Sequence, residues 1–227
     1  MPLRFAVIIP ALDEEAALGP TLEELRPHGA AQVIVVDNGS RDRTAEVARG
    51  HGACVVHEPR RGYGSACLAG IAALVPEIDT VVFMDADGSS NPAELPALLA
   101  PIERGEADLV TGSRRMGSAE PGSLTPQQRY GNALATWLLR VVRGIRATDL
   151  GPLRAIRREA LEKLAMADPG FGWNIEMHIK AHAAGLRVVE APVHYRRRRH
   201  GQSKISGTLR GTLGAGLKII WTILRYR

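Results

Sequence analysis

Thr80-Val81-Val82-Phe83-Met84-Asp85-Ala86-Asp87-Gly88 is the stretch on which the reading of this chain turns. Five apolar or β-branched residues, ended by two carboxylates and a glycine, read as a buried strand that stops at a polar edge. The runs at 5–9, 33–36 and 53–57 have the same form. Helical patterns at 14–25, 44–51 and 64–75 lie between them. Alternating strand and helix predict an α/β domain with a mostly parallel sheet flanked by helices. Its ligands are expected beyond the carboxyl ends of the strands.

Those ends carry chemistry. The first strand runs into Pro10-Ala11-Leu12-Asp13-Glu14, the second into Asp37-Asn38-Gly39-Ser40-Arg41-Asp42, the fourth into Asp85-Ala86-Asp87-Gly88-Ser89. Two carboxylates one residue apart suit a hard divalent cation. Mg²⁺ usually takes one or two protein carboxylates and completes its shell with phosphate and water oxygens. The same residues could instead cap a helix starting near Pro92. Asp37 could hydrogen-bond a base or ribose edge, or serve only its turn, with Asp42 or Ser40 as the cap of the next helix. Arg60-Arg61-Gly62-Tyr63-Gly64-Ser65 sets glycines and cations before a helical pattern, an arrangement suited to an anion.

Composition narrows the class. The chain has 227 residues, 45% hydrophobic and 23% charged, ordinary for a globular protein. Aromatics at 4% leave little for stacking single-stranded nucleic acid. The net charge of +5 is unevenly spread: residues 191–227 hold nine Lys/Arg and no Asp/Glu, leaving 20 basic against 24 acidic residues elsewhere. One cationic surface, rather than a nucleic-acid binder, follows. Cys54 and Cys67 read as reduced core thiols. Residues 1–9 read as a first strand rather than a secretory signal, so a cytoplasmic protein is expected.

Further along, residues 117–125 read as a mobile loop, 168–172 as a break, 174–184 as a helix and 188–193 as a late strand. Residues 127–146 form an amphipathic pattern, with Tyr130, Leu134, Trp137, Leu138, Val141, Val142 and Ile145 on one face. Residues 204–227 form another, basic and interrupted by four glycines. Each apolar face could lie in a membrane interface or pack on the core. His178 and His182 stand one helical turn apart without the glutamate of a zincin, so the spacing reads as incidental.

In order, these motifs resemble the family 2 glycosyltransferases of the GT-A fold, nearest to the dolichol-phosphate mannosyltransferase-like, polyprenyl-phosphate branch. The carrying residues are Val7-Ile8-Ile9-Pro10 with Glu14, Val35-Val36-Asp37-Asn38-Gly39-Ser40 with Asp42 and Thr44, Arg61-Gly62-Tyr63-Gly64-Ser65-Ala66 and Phe83-Met84-Asp85-Ala86-Asp87-Gly88. They continue with Gly112-Ser113-Arg114, Asp149-Leu150-Gly151-Pro152-Leu153-Arg154-Ala155, Phe171-Gly172-Trp173-Asn174-Ile175-Glu176 and Arg199-His200-Gly201-Gln202-Ser203-Lys204.

The resemblance implies a GT-A, Rossmann-like domain over 1–203 and a basic amphipathic helical tail over 204–227. It implies a nucleotide-sugar donor bound by Pro10, Glu14, Asp37, Asn38, Arg61 and Ala86. Asp85 and Asp87 would hold Mg²⁺ or Mn²⁺, with Ser89 completing the shell. It also implies an acceptor lipid phosphate gripped by Arg114 and Arg129, two residues that without the resemblance read as solvated arginines. Asn38 replaces a common second Asp, Gly151-Pro152-Leu153 a Ser-Gly-Phe, and Trp173-Asn174 alters the following motif. An inverting transfer at the cytoplasmic face of a membrane is expected. A hydroxyl acceptor would instead need a general base, for which Asp149 and Glu176 are candidates. A nucleotidyltransferase and a non-catalytic peripheral membrane module are the remaining readings. Oligomeric state leaves no signal in the sequence.

Overall fold

The computed structural model describes residues 3–198 together with Thr222 and Arg225. Among the described residues seven strands form one sheet: β1 (Phe5–Ala11), β2 (Gln32–Asp37), β3 (Cys54–His57), β4 (Thr80–Phe83), β5 (Leu109–Ala119), β6 (Arg154–Arg157) and β7 (Val188–Tyr195). Their order is β3-β2-β1-β4-β6-β5-β7. β6 alone runs against its neighbours, inserted antiparallel between β4 and β5. The sheet is therefore mostly parallel, and the ends of β1, β2 and β4 open on one edge.

Strand periodicity sorts the core into two layers. Phe5, Val7 and Ile9 of β1 pack with Val35 and Val82 against α1 (Glu15–Leu25), α2 (Thr44–Gly50) and α4 (Leu95–Glu103). Ala6 and Ile8 pack with Ile34, Val36, Val81 and Phe83 on the other side. There they meet α3 (Tyr63–Ala72), α6 (Arg158–Leu164) and α7 (Trp173–Ala183). Both faces of the central strands are covered, as their unbroken apolar runs require.

The structure departs from the sequence reading in three places. Residues 117–119 are not loop but the end of β5, pairing Ser118 with His194 and Ala119 with Tyr195. A Cβ on Gly117 would collide with the Val193 backbone, so the glycine lets the strands close rather than freeing a loop. Beyond it, Glu120 N–H donates to the Tyr195 carbonyl at 2.9 Å, tying the following turn down as well. Cys54 is exposed, because β3 is an edge strand, while Cys67 is buried as expected. β5, β6 and α6 carry no clear periodic signal; β6 is the four residues Arg-Ala-Ile-Arg, with Arg154 wholly buried.

α5 (Pro126–Arg143) begins at a reciprocal cap: Gln128 N–H donates to Thr125 Oγ1 at 3.2 Å, and Thr125 N–H to Gln128 Oε1 at 2.9 Å. Its amphipathic face packs only in part: Leu138 and Ile145 join Leu139 against Ile175 and Ile179 of α7. Tyr130, Leu134, Trp137, Val141 and Val142 are exposed, Tyr130 by 78% and Val141 by 63%. Among the described residues no helix is long and apolar enough to cross a membrane. The expected division at 203/204 and most of the 204–227 helix lie outside the described residues. Of that segment Thr222 is fully buried and Arg225 exposed.

Gly117→Ala is expected to cost roughly 1–3 kcal/mol by forcing β5 from β7. A fall in the urea midpoint at unchanged m-value would show it.

Candidate active site

The polar loops after β1 and β2 are laced together. Asp13, at φ +50°, accepts from Arg41 N–H at 2.7 Å, and its own N–H donates to Ser40 Oγ at 3.0 Å. Glu14 N–H donates to Thr44 Oγ1 at 2.8 Å and Glu15 N–H to Asp42 Oδ2 at 3.1 Å. Side chains of one loop thus satisfy the backbone of the other, which fixes Glu14 at the rim of the sheet edge.

Asn38 binds a third segment in. Its Nδ2 donates to the carbonyls of Glu58 (2.9 Å) and Arg60 (2.8 Å), and its Oδ1 accepts from Gly62 N–H at 2.8 Å. Only an amide supplies two donors and an acceptor here. This explains asparagine where a second aspartate is common. Asp37 beside it is buried, which alone would raise its pKa. Bonds from the Ser40 side chain and backbone and from His57 outweigh that and hold the carboxyl below its usual range.

A cleft of about 580 Å³ opens at this edge, lined among others by Pro10, Glu14, Asn38, Arg61, Asp85, Ala86, Asp87 and Arg114. The carboxylate pair follows β4 directly and does not cap the next helical turn. Asn91 does that, accepting from Ala93 N–H at 3.2 Å. Asp87 is buried, and its Oδ1 accepts from both the N–H (2.9 Å) and the hydroxyl of Ser89. Asp85 has no hydrogen-bond donor among the described residues, and burial, then repulsion from Asp87, pushes its carboxyl up to about 7.

A partly buried carboxylate without a donor, next to a second carboxylate, fits a hard divalent cation. No cluster of three or more His, Cys, Asp or Glu ligands exists among the described residues. Asp85 and Asp87 would therefore hold Mg²⁺ or Mn²⁺ with most of its shell left to other oxygens, as nucleotide sites do.

On the opposite wall Arg114 is clamped. Its Nε and Nη2 donate to Asp149 at 2.7 and 2.6 Å, and its guanidinium lies 5.0 Å from the Tyr195 ring centroid. Burial raises the Asp149 carboxyl, but the Arg114 bonds win and hold it below its usual range. Tyr195 is pushed up to about 12, chiefly by burial.

Other expected residues stand elsewhere. Arg129 is exposed on the first turn of α5, outside the cleft lining, whereas its neighbour Gln128 lines it. Glu176 is fully buried, accepts from Ala167 N–H (2.9 Å) and Asp168 N–H (2.8 Å), and pairs with Lys180 at 2.7 Å. It anchors the segment before α7 and does not line the cleft. Asp37, Ser89 and Asp149 are outside the lining; Ser89 and Asp149 bond the lining residues Asp87 and Arg114, whereas Asp37 accepts from Ser40 N–H at 2.9 Å.

The glycines of 60–65 have a different cause from the one expected. A Cβ on Gly62 or Gly64 would collide with the carbonyls of Pro169 or Asp168, and Ser65 N–H donates to Pro169 O at 2.9 Å. That helix start receives a carbonyl, not an anion. Arg61 remains at the mouth of the cleft, donating to Gly39 O at 3.0 Å. His178 is buried and held neutral, pushed down to about 3 mainly by burial, while His182 is exposed, so the two form no pair.

Sequence reasoning missed Arg198. Its Nη1 meets Glu14 Oε1 at 2.8 Å and its Nη2 meets Asp87 Oδ2 at 2.8 Å. Within the run Arg196–Arg199 nothing local distinguishes it, and its partners lie more than a hundred residues away.

Residues 6–165 match the family described as Glycosyl transferase family 2. An uncharacterized glycosyltransferase of Mycobacterium tuberculosis is 44% identical over 219 residues, 96% of each chain. The undecaprenyl-phosphate mannosyltransferase of Micrococcus luteus is 32% identical over 242 residues, 99% of each chain. Among solved structures, glucosyl-3-phosphoglycerate synthase from M. tuberculosis in complex with Mn²⁺, UDP and glucosyl-3-phosphoglycerate superposes with a TM-score of 0.79. It is 27% identical, with 98% of this chain and 79% of that one covered.

Asn38→Asp would set a carboxylate against two carbonyls. The expected cost is about 1–3 kcal/mol, read as a lower midpoint in chemical denaturation.

Proposed function

This chain belongs to glycosyl transferase family 2, and from that premise we propose that it transfers a hexose from a nucleoside-diphosphate sugar to a polyprenyl phosphate, inverting the anomeric carbon. The donor half rests on the cleft at the ends of β1, β2 and β4, with Asp85 and Asp87 at its floor. The likeness to a synthase bound to Mn²⁺ and UDP supports the same reading. A Mg²⁺ or Mn²⁺ held there would neutralise charge on the departing diphosphate. Arg61 at the cleft mouth adds a guanidinium that suits diphosphate oxygens.

The acceptor half rests on the state of the two candidate bases. Asp149 is spent on Arg114, and Glu176 on backbone N–H groups and Lys180. A hydroxyl nucleophile needs a base within hydrogen-bond reach. A phosphate oxygen is already anionic and needs none. Arg114, set by Asp149, keeps its guanidinium in the cleft lining, where such a phosphate could accept from it.

The lipid part of the reading rests on α5. Its first turn contributes Gln128 to the cleft, and its exposed stripe of Tyr130, Leu134, Trp137 and Val141 continues away from it. Arg140 and Arg143 near the helix end suit anionic headgroups. The likeness to an undecaprenyl-phosphate mannosyltransferase over nearly the whole chain points the same way. This surface would seat the enzyme peripherally on the cytoplasmic face of the membrane.

Purified protein given Mn²⁺ and UDP- or GDP-hexoses is expected to glycosylate a polyprenyl phosphate. Asp87→Asn should lower that rate by at least about 100-fold. Transfer only to phosphoglycerate or to a sugar hydroxyl would overturn the acceptor assignment. Separately, Trp137→Glu with Val141→Glu should weaken binding to anionic vesicles by about tenfold or more in flotation assays, with the circular dichroism unchanged.

A further inference from the structure

Both carboxylate oxygens of Asp87 are engaged in the described structure. Oδ1 takes two bonds from Ser89, and Oδ2 is paired with Arg198, which reaches Glu14 with its other terminal nitrogen. The two acids are nearly buried, with side-chain exposures of 8% and 10%. Resting on the donor-site reading above, we propose that Arg198 is an internal counter-cation of that site. It holds Asp87 and Glu14 in the ligand-free enzyme and exchanges with the divalent ion that arrives on the nucleoside diphosphate.

The strap that carries Arg198 is built for a side-chain exchange. Two residues earlier, Arg196 N–H donates to Ser89 O at 2.9 Å, and its guanidinium binds Glu24 (2.8 Å) and Asn91 (2.6 Å). Arg197 N–H donates to Glu120 Oε2 at 2.7 Å. These anchors keep the backbone beside the metal carboxylates whether or not the Arg198 side chain is docked. Releasing Asp87 therefore requires rotation of one long side chain, not movement of the strap.

Charge decides when that rotation occurs. Glu14, Asp85 and Asp87 place three acids around one cleft, and Arg198 compensates two of them. A bare divalent ion would take Asp87 and leave the guanidinium with Glu14 as its one remaining carboxylate partner of the two. A metal bound to a nucleoside diphosphate brings both charges: the ion takes the carboxylates, and phosphate oxygens accept the guanidinium fork. Asp87 and the Arg198 guanidinium are each paired before and after the exchange. Metal and nucleotide therefore enter together, and each raises the affinity of the other by the same factor.

The test is Mn²⁺ binding followed by the electron paramagnetic resonance of the free ion, without nucleotide and with saturating UDP or GDP. Wild type should bind Mn²⁺ weakly alone and at least about tenfold more tightly with the matching nucleotide. Arg198→Gln should bind Mn²⁺ alone about tenfold more tightly than wild type, and the gain from nucleotide should shrink accordingly. Arg198→Lys keeps one charge but cannot span both carboxylates, so it should fall between the two and carries the test should the glutamine variant not fold. Nucleotide-free affinity in the variants equal to or below wild type overturns the role of Arg198 and leaves the donor site standing. No Mn²⁺ binding by any form with either nucleotide overturns both.

Discussion

Negative charge gathered at one edge of a parallel sheet is the constraint to which the rest of this molecule answers. Glu14 after β1 and the Asp85/Asp87 pair after β4 face one cleft. Burial first, and then repulsion from Asp87, pushes the Asp85 carboxyl up. The protein meets that repulsion with cations delivered from distant parts of the chain: Arg198 onto Glu14 and Asp87 from the end of β7, with Arg114 nearby from β5. Asp149 in turn compensates Arg114. The site is an alternating array of charges, and its function is read most directly from which of them a ligand could replace.

Close backbone approach is the second constraint. Gly62 and Gly64 admit the 168–169 segment against the start of α3, and Gly117 admits β7 against β5. The first contact brings the segment before α7 to the cleft, where Trp173 and Asn174 join the lining. The second carries the chain past Tyr195 to the arginine strap. Small residues that look like flexibility in the sequence are, in the fold, points of tight assembly.

The strands and helices of the first half were legible because their periods are clean: alternate residues of β1 and β2 divide between the two core layers. β6 was not legible, since a four-residue strand bearing a buried arginine has no apolar pattern, only a place between β4 and β5 that pairing supplies. For the site, the strand-end rule located Pro10, Glu14, Asn38, Asp85 and Asp87 without a structure. It could not say that Glu176 would be spent on two backbone N–H groups or that Asp149 would be spent on Arg114. Those are facts of proximity between residues far apart in the chain.

The amino-acid sequence by itself determined the α/β alternation, the edge on which the cleft opens, the family and the carboxylate pair that lines that cleft. All of these depend on residues close together in the chain, where period, turn chemistry and motif spacing act. Only the tertiary structure decided which charges meet. Arg198 closes on acids 111 and 184 residues away, Asn38 joins two loops through three hydrogen bonds, and Tyr130, Leu134, Trp137, Val141 and Val142 of α5 are left turned to solvent. Pairing energies depend on distance and burial, and neither exists until the chain has folded.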